Sequence, residues 1–341
     1  MRKTVGKFIV FGLGVLFLPC ILTLLLSGTN TWSKQMESGK YGFVYEKDGK
    51  VQRMNLDTYI MGAIAANMPL NYEMDTLKAQ AVIIRTYAYL AMEHTNKSEI
   101  NISDIGLDYI SMTELKEYCQ KEEYINYLSK LENAVYSTNQ EVITYNDKLI
   151  TPLFHTCNGG VTRSSLVARG EEVPYLISTD SKEDMTSTDA MKITLEEVQT
   201  IIDTIKTKYT NANLSKENFF EKVQVTERDE YNYAKVVQID TETTTAEEFA
   251  ECLNLNSTNF QIENYEGKVR IICKGKGHGI GLSQYGANEK VKNGATYQGV
   301  LEYYYCDTRI KDWTASTKDT TQTEVPQTVV PQTTVVPVNT P

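Results

Sequence analysis

The residues best suited to chemistry stand together near the end of the chain, in Lys274-Gly275-Lys276-Gly277-His278-Gly279-Ile280-Gly281-Leu282-Ser283-Gln284-Tyr285-Gly286-Ala287. Alternating glycines let backbone N–H groups approach a ligand or one another closely, while His278, Ser283, Gln284 and Tyr285 add hydrogen-bonding side chains. A plain turn between a strand (Val269 to Cys273) and a helix (Ser283 to Lys292) has no use for that cluster, so the segment reads as a site. It is no phosphate-binding loop: no Gly-Lys-Ser/Thr closes it, and its spacing does not fit a dinucleotide fingerprint. A second polar loop, His155-Thr156-Cys157-Asn158-Gly159-Gly160, brings two soft metal ligands close together. Zinc on His155 and Cys157 needs two further ligands, such as Cys119; without them the pair is a buried thiol beside a hydrogen-bonded histidine. Lys78 and Arg85, seven apart in a helical pattern, share one face, as residues of a solvated helix do.

These groups need elements to position them. Tyr41 to Tyr45 and Val51 to Met54 flank a Gly-containing connection and read as a β-hairpin. The spacing predicts a helix capped by Asp57, with Tyr59, Ile60, Ala63, Ile64 and Ala66 on its apolar face, halted by Pro69. A second helix, capped by Asp75, runs to Met92 with an apolar stripe of Leu77, Ala81, Ile84, Ala88 and Ala91. Residues 113–138 read as a polar amphipathic helical insertion. Glu141 to Phe154 form a hairpin turning at Asn146-Asp147, Thr194 is expected to cap a helix from Leu195 to Ile205, and Ala246 to Leu253 form another helix. Lys222 to Thr226 and Ala234 to Asp240 read as strands. The expected fold class is α+β, helices packed on small antiparallel sheets over residues 41–313.

The ends differ from this body. Residues 1–28 place Arg2, Lys3 and Lys7 before the apolar run Phe8 to Leu26, long enough to cross a bilayer and longer than a signal-peptide core. We expect an uncleaved transmembrane anchor with a cytoplasmic stub, a linker over 29–40, and the domain outside the cytoplasm. Residues 314–341, where Val325-Pro326-Gln327-Thr328 nearly recurs as Val330-Pro331-Gln332-Thr333, read as a disordered tail. A net charge of −10 excludes nucleic acid as a partner, which would require a basic patch. Beyond the anchor stand Cys119, Cys157, Cys252, Cys273 and Cys306, an odd number whose spacings match no zinc finger.

With these pieces in place the chain resembles the stage II sporulation protein D family. The likeness rests on Leu56-Asp57-Thr58-Tyr59-Ile60-Met61-Gly62 with Met68-Pro69; Leu77-Lys78-Ala79-Gln80-Ala81-Val82 with Arg85-Thr86-Tyr87; Phe154-His155 with Gly159-Gly160; Ser257-Thr258-Asn259-Phe260; and Gly277 to Ala287. Tyr303-Tyr304-Tyr305 before Asp307-Thr308 closes the pattern. The resemblance implies a membrane-anchored lytic transglycosylase acting on peptidoglycan glycan strands stripped of stem peptides, on the mother-cell side facing the forespore during engulfment. It implies a cell-wall amidase and other engulfment proteins as partners and requires no cofactor. Some members of the family carry zinc near the loop that matches His155 and Cys157.

The implied reaction cleaves the β-1,4 bond after N-acetylmuramic acid without water. One carboxyl group protonates the leaving oxygen and then, as carboxylate, helps the muramyl 6-hydroxyl close a 1,6-anhydro ring. The resemblance puts that group, a glutamate in the family, immediately before Met-Pro, where this chain has Asn67. An amide neither gives nor takes a proton near neutral pH, and losing a positioned acid is expected to cost about 10²–10⁴-fold in rate. Three expectations follow: a catalytically inactive glycan-binding scaffold that recruits or stimulates an amidase, Glu73 standing in as the acid, or an exchanged residue at 67. The resemblance also makes Lys78, Arg85 and Tyr87 candidates to line a glycan groove, with His278, Ser283, Gln284 and Tyr285 on its other wall.

Overall fold

The computed structural model describes residues 42–95 and 99–313, so the expected anchor, linker and tail lie outside the described residues. Among those described, no helix is long and apolar enough to cross a membrane. Strands β1 (Gly42–Lys47) and β2 (Lys50–Met54) form the expected hairpin, turning where Asp48 and Gly49 both take positive φ. Helix α1 (Leu56–Asn67) starts at Asn55, whose side chain accepts from the Thr58 N–H at 2.8 Å. Asn55 is therefore the cap, and Asp57 sits inside the first turn. The helix stops at Asn67 because Pro69 pushes Met68 into the extended region (φ −147, ψ 143).

Helix α2 (Met74–Thr95) is the axis of the first interior, its alanines allowing close neighbours on nearly every side. Asp75 lies within its first turn rather than ahead of it, and its carboxylate takes the Lys78 ammonium and the Tyr297 N–H. After β3 (Glu99–Asn101), parallel to β1, come α3 (Met112–Tyr118), opened by a Ser111–Glu114 capping box, and α4 (Lys121–Ser137). The segment expected as one helical insertion is thus two helices, and it is no appendage: Leu131, Ala134 and Val135 are fully buried in the first interior.

The chain continues through β4 (Glu141–Tyr145), β5 (Lys148–Leu149), β6 (Phe154–His155) and β7 (Met191–Glu196) to α5 (Val198–Lys208). Thr194 and Leu195 belong to β7, paired with a later strand, and the helix begins only after Glu197. Next are β8 (Val223–Arg228), β9 (Ala234–Ile239), β10 (Glu242–Thr245), α6 (Ala246–Cys252), β11 (Phe260–Tyr265), β12 (Lys268–Lys274) and β13 (Leu282–Ser283). Helices α7 (Gln284–Lys292) and α8 (Tyr297–Tyr304) and strand β14 (Arg309–Asp312) complete the body.

The class is α+β with small sheets: β2-β1-β3, β10-β9-β8, β11-β12-β7, β13-β6 and β14-β4-β5. Two of their pairings, β1 with β3 and β6 with β13, are parallel. A second interior, built by Ile201, Ile202 and Ile205 of α5, Phe249 of α6 and Phe260, Val269 and Ile271 of β11 and β12, lies apart from the first. The five cysteines of the described residues are free thiols.

Candidate functional site

The Gly-rich segment runs alongside residues 153–157, and its glycines at 275, 277, 279 and 281 all take positive φ. The approach is closest at Gly281, where a Cβ would stand 2.0 Å from the Leu153 carbonyl oxygen. Leu282 and Ser283 then pair with Phe154 and His155, and Ser283 caps α7 by accepting from the Gly286 N–H at 3.2 Å. The two polar loops picked out in the sequence are thus one structure.

Both histidines clasp Ile280. The Ile280 carbonyl can only accept, so His155 Nδ1 donates to it at 3.2 Å, leaving Nε2 to accept from Asn158 Nδ2 at 3.1 Å. His278 Nδ1 accepts from the Ile280 N–H at 3.0 Å. Burial pulls His155 down to about 4 and His278 well below its usual value, with the Arg163 charge acting in the same direction on both. Two neutral imidazoles result at physiological pH. Arg163 locks the segment to the second interior: it pairs with buried Asp229 at 2.7 Å, donates to the His278 carbonyl at 3.1 Å and stacks on Tyr233.

Beneath Ser283 lies Asp184, which takes the Ser283 hydroxyl at 2.6 Å, the Ser181 hydroxyl at 3.1 Å and the Asn158 N–H at 3.0 Å. Burial outweighs these donors and lifts its carboxyl to about 6. Ser283 therefore serves the fold with both its donor and its acceptor. Cys157 is fully buried nearby, its thiol pushed up to about 12 by burial and the carboxylates of Asp184 and Asp189. Among the described residues no group of three or more His, Cys, Asp and Glu stands ready for a metal ion. His155 and Cys157 have no third ligand of that kind beside them there.

The segment docks on the turn after α1. Gln284 Nε2 donates to the Asn67 carbonyl at 2.7 Å across 217 residues, and Asn288 of α7 takes the Glu73 N–H at 2.9 Å and meets Thr76 at 3.2 Å. Asn67, Gln284 and the Glu73 main chain are thereby brought together. The Asn67 amide spends both its protons on carbonyls, those of Ala63 and Asp108, each at 2.8 Å. Gly62 makes this possible: a Cβ there would stand 2.2 Å from the Tyr109 ring and 2.5 Å from the Ile110 oxygen, so only glycine lets the 105–111 loop lie on α1. The Glu73 side chain is exposed, with Lys130 and Lys292 in its field.

Tyr285 lies half-buried on this surface, its hydroxyl sharing a hydrogen bond with Thr186 at 3.1 Å. The charges of Tyr285, Cys157, Asp189 and Asp184 act on the Tyr72 hydroxyl, which places Tyr72 beside them. Lys78 stands at the far side of α2's first turn, paired with Asp75 and over the Tyr297 ring. Arg85 is in the core, 1% exposed, donating to Thr138, Val135 and Glu141. Tyr87 is buried near Tyr305 and Arg169. Tyr72, Asp108, Asn158, Asp184 and Asn288 are given no role by the sequence; the first four lie outside the α-helices and strands, where no periodic signal singles out a residue.

A sequence profile of the family described as "Stage II sporulation protein" matches residues 45–145, from the first hairpin to β4. The stage II sporulation protein D of Bacillus subtilis (strain 168) is 28% identical over 271 residues, 77% of this chain and 76% of that protein. The protein of the same name from Bacillus amyloliquefaciens is 26% identical over 75% of this chain and 74% of its own length. An "Amidase enhancer" of Bacillus subtilis (strain 168) is 24% identical over 74% of this chain, though over only 40% of its own length. Over residues 45–145, and in these relatives, the chain is similar to the stage II sporulation protein D family.

Proposed function

We propose that this protein acts on peptidoglycan glycan strands of the cell wall during sporulation, by lytic transglycosylation, at the surface that carries Tyr72 and Tyr285 beside the buried Asn67 turn. The observation that carries this reading is the docking of the Gly-rich segment on the Asn67 turn, with Gln284 Nε2 at 2.7 Å from the Asn67 oxygen. It joins at one place two of the stretches on which the resemblance to the family rests. Neutral imidazoles behind the wall and half-buried tyrosines on it suit uncharged sugar rings better than an anionic ligand. On this proposal the chain is anchored in the mother-cell membrane, with its body outside the cytoplasm.

A second reading, an inactive glycan-binding scaffold that stimulates a cell-wall amidase, is favoured by one observation. Both protons of the Asn67 amide are committed to main-chain carbonyls, so the residue at the family's acid position supplies none to a substrate. The likeness to a protein named amidase enhancer fits that reading as well. Incubating the purified full-length chain with denuded glycan strands tests both. New 1,6-anhydromuramyl ends in the mass spectrum establish the transglycosylase; strand binding without new ends, joined to faster amidase turnover, establishes the scaffold. No binding to strands overturns both readings.

A further inference from the structure

The loop that covers Asn67 brings a carboxyl group of its own. The Asp108 carbonyl lies 2.8 Å from Asn67 Nδ2, so residue 108 stands at the tip of the side chain that occupies the family's acid position. A carboxyl carbon lies within about 5 Å of its own carbonyl oxygen, which puts the Asp108 carboxyl within roughly 8 Å of the Asn67 amide. Among the described residues this carboxyl has no ion pair and no hydrogen bond, although it is half-buried. Burial alone holds its pKa above the usual range, as a proton donor working near neutral pH requires.

Two other carboxyls near the site are committed elsewhere. Glu114 is saturated by Lys47 and Ser111, and Asp184 is fully buried among donors. Glu73 is exposed, with Lys130 and Lys292 beside it, and its backbone rather than its carboxyl is what docks on α7. Asp108 alone of these four combines position over residue 67, partial exposure and an unpartnered carboxyl.

We propose that Asp108 is the catalytic acid of this protein, standing in for the glutamate that residue 67 is not; this rests on the transglycosylase reading above. The Asp108 proton passes to the glycosidic oxygen as its bond to C1 breaks. The carboxylate then takes the proton of the muramyl 6-hydroxyl while that oxygen bonds to C1. The 1,6-anhydro ring closes, no water enters, and Asp108 ends protonated as it began.

The test measures 1,6-anhydromuramyl ends released from denuded glycan strands by the full-length chain and by Asp108→Asn, with strand binding and the unfolding midpoint followed in parallel. The expected result is turnover by the wild type and a loss of about 10²–10⁴-fold in Asp108→Asn, with binding and midpoint preserved. Undiminished turnover in Asp108→Asn overturns the proposal, as does a loss that appears in Glu73→Gln instead. A silent wild type that gains activity through Asn67→Glu, and keeps it with Asp108→Asn added, refutes Asp108 while upholding the transglycosylase site. If no variant cleaves or binds strands, the functional reading itself fails.

Discussion

Replacing Arg85 by methionine separates a structural role from a ligand-binding one. The guanidinium, 1% exposed, donates through Nη1 to Thr138 Oγ1 and the Glu141 carbonyl, each at 3.2 Å, and through Nη2 to the Val135 carbonyl at 3.0 Å. Three bonds from a charged donor are worth roughly 1.5–3 kcal/mol each, about 4.5–9 in all. Against this, burial draws the guanidinium down to about 10, with Asp57 opposing, a relief of about 3 kcal/mol once the charge is gone. The difference, about 2–6 kcal/mol, brackets the 3–5 typical of removing one partner from a buried charged network. Methionine retains much of the stem's volume, so the loss is chiefly electrostatic. It corresponds to a midpoint lowered by about 10 °C in the transition of the first interior, read by circular dichroism. Glycan-strand binding, measured at a temperature where both proteins are folded, should be unchanged. An unaltered midpoint together with lost binding would refute the reasoning and return Arg85 to the groove wall.

Two other perturbations follow from the geometry. Gly281→Ala puts a Cβ 2.0 Å from the Leu153 oxygen at φ +70, while Gly49→Ala has φ +69 and nothing within 4 Å. The second should cost only the left-handed strain, about 1–2 kcal/mol, and the first about 1–3 kcal/mol more; equal unfolding midpoints would show that the close approach does not matter. Asp184 titrates at about 6 when folded and near 3.9 when unfolded, so between these values the folded state holds more protons. Its contribution is fully present below about pH 4 and lost as pH rises through about 6, a change of about 3 kcal/mol. The stability of the wild type minus that of Asp184→Asn, from urea unfolding, should fall by about 2 kcal/mol of this from pH 4 to pH 7. A flat difference would exclude Asp184 as the source.

What the sequence reveals here is what the chain decides locally. The helix from Leu56 and its halt before Met68-Pro69 are legible because an apolar period and a proline act within a few residues. The same kind of signal fails at Thr194, where a capping pattern ending in Glu197 precedes an apolar run. The pairing of Ile193 and Leu195 with Ile272 and Arg270, formed far along the chain, overrides it. Arg85 reads as a surface charge until the Val135 carbonyl near the end of α4 and the Glu141 carbonyl at the start of β4 close around it. Position 67 shows the limit most clearly. Sequence points to the residue and to the missing acid, but it does not say what an amide does there that a carboxylate would not. In the structure one amide N–H ties α1 to the Asp108 carbonyl and the other bonds back to the Ala63 carbonyl of the same helix, and a carboxylate, having no proton to offer, would turn both contacts into repulsions. A glutamate at 67 would therefore release or push away the very loop that brings Asp108 over the site. On the proposal made above, the amide at 67 and the unpartnered carboxyl at 108 are two halves of one arrangement, and the activity of Asn67→Glu and Asp108→Asn should be non-additive when the two are combined.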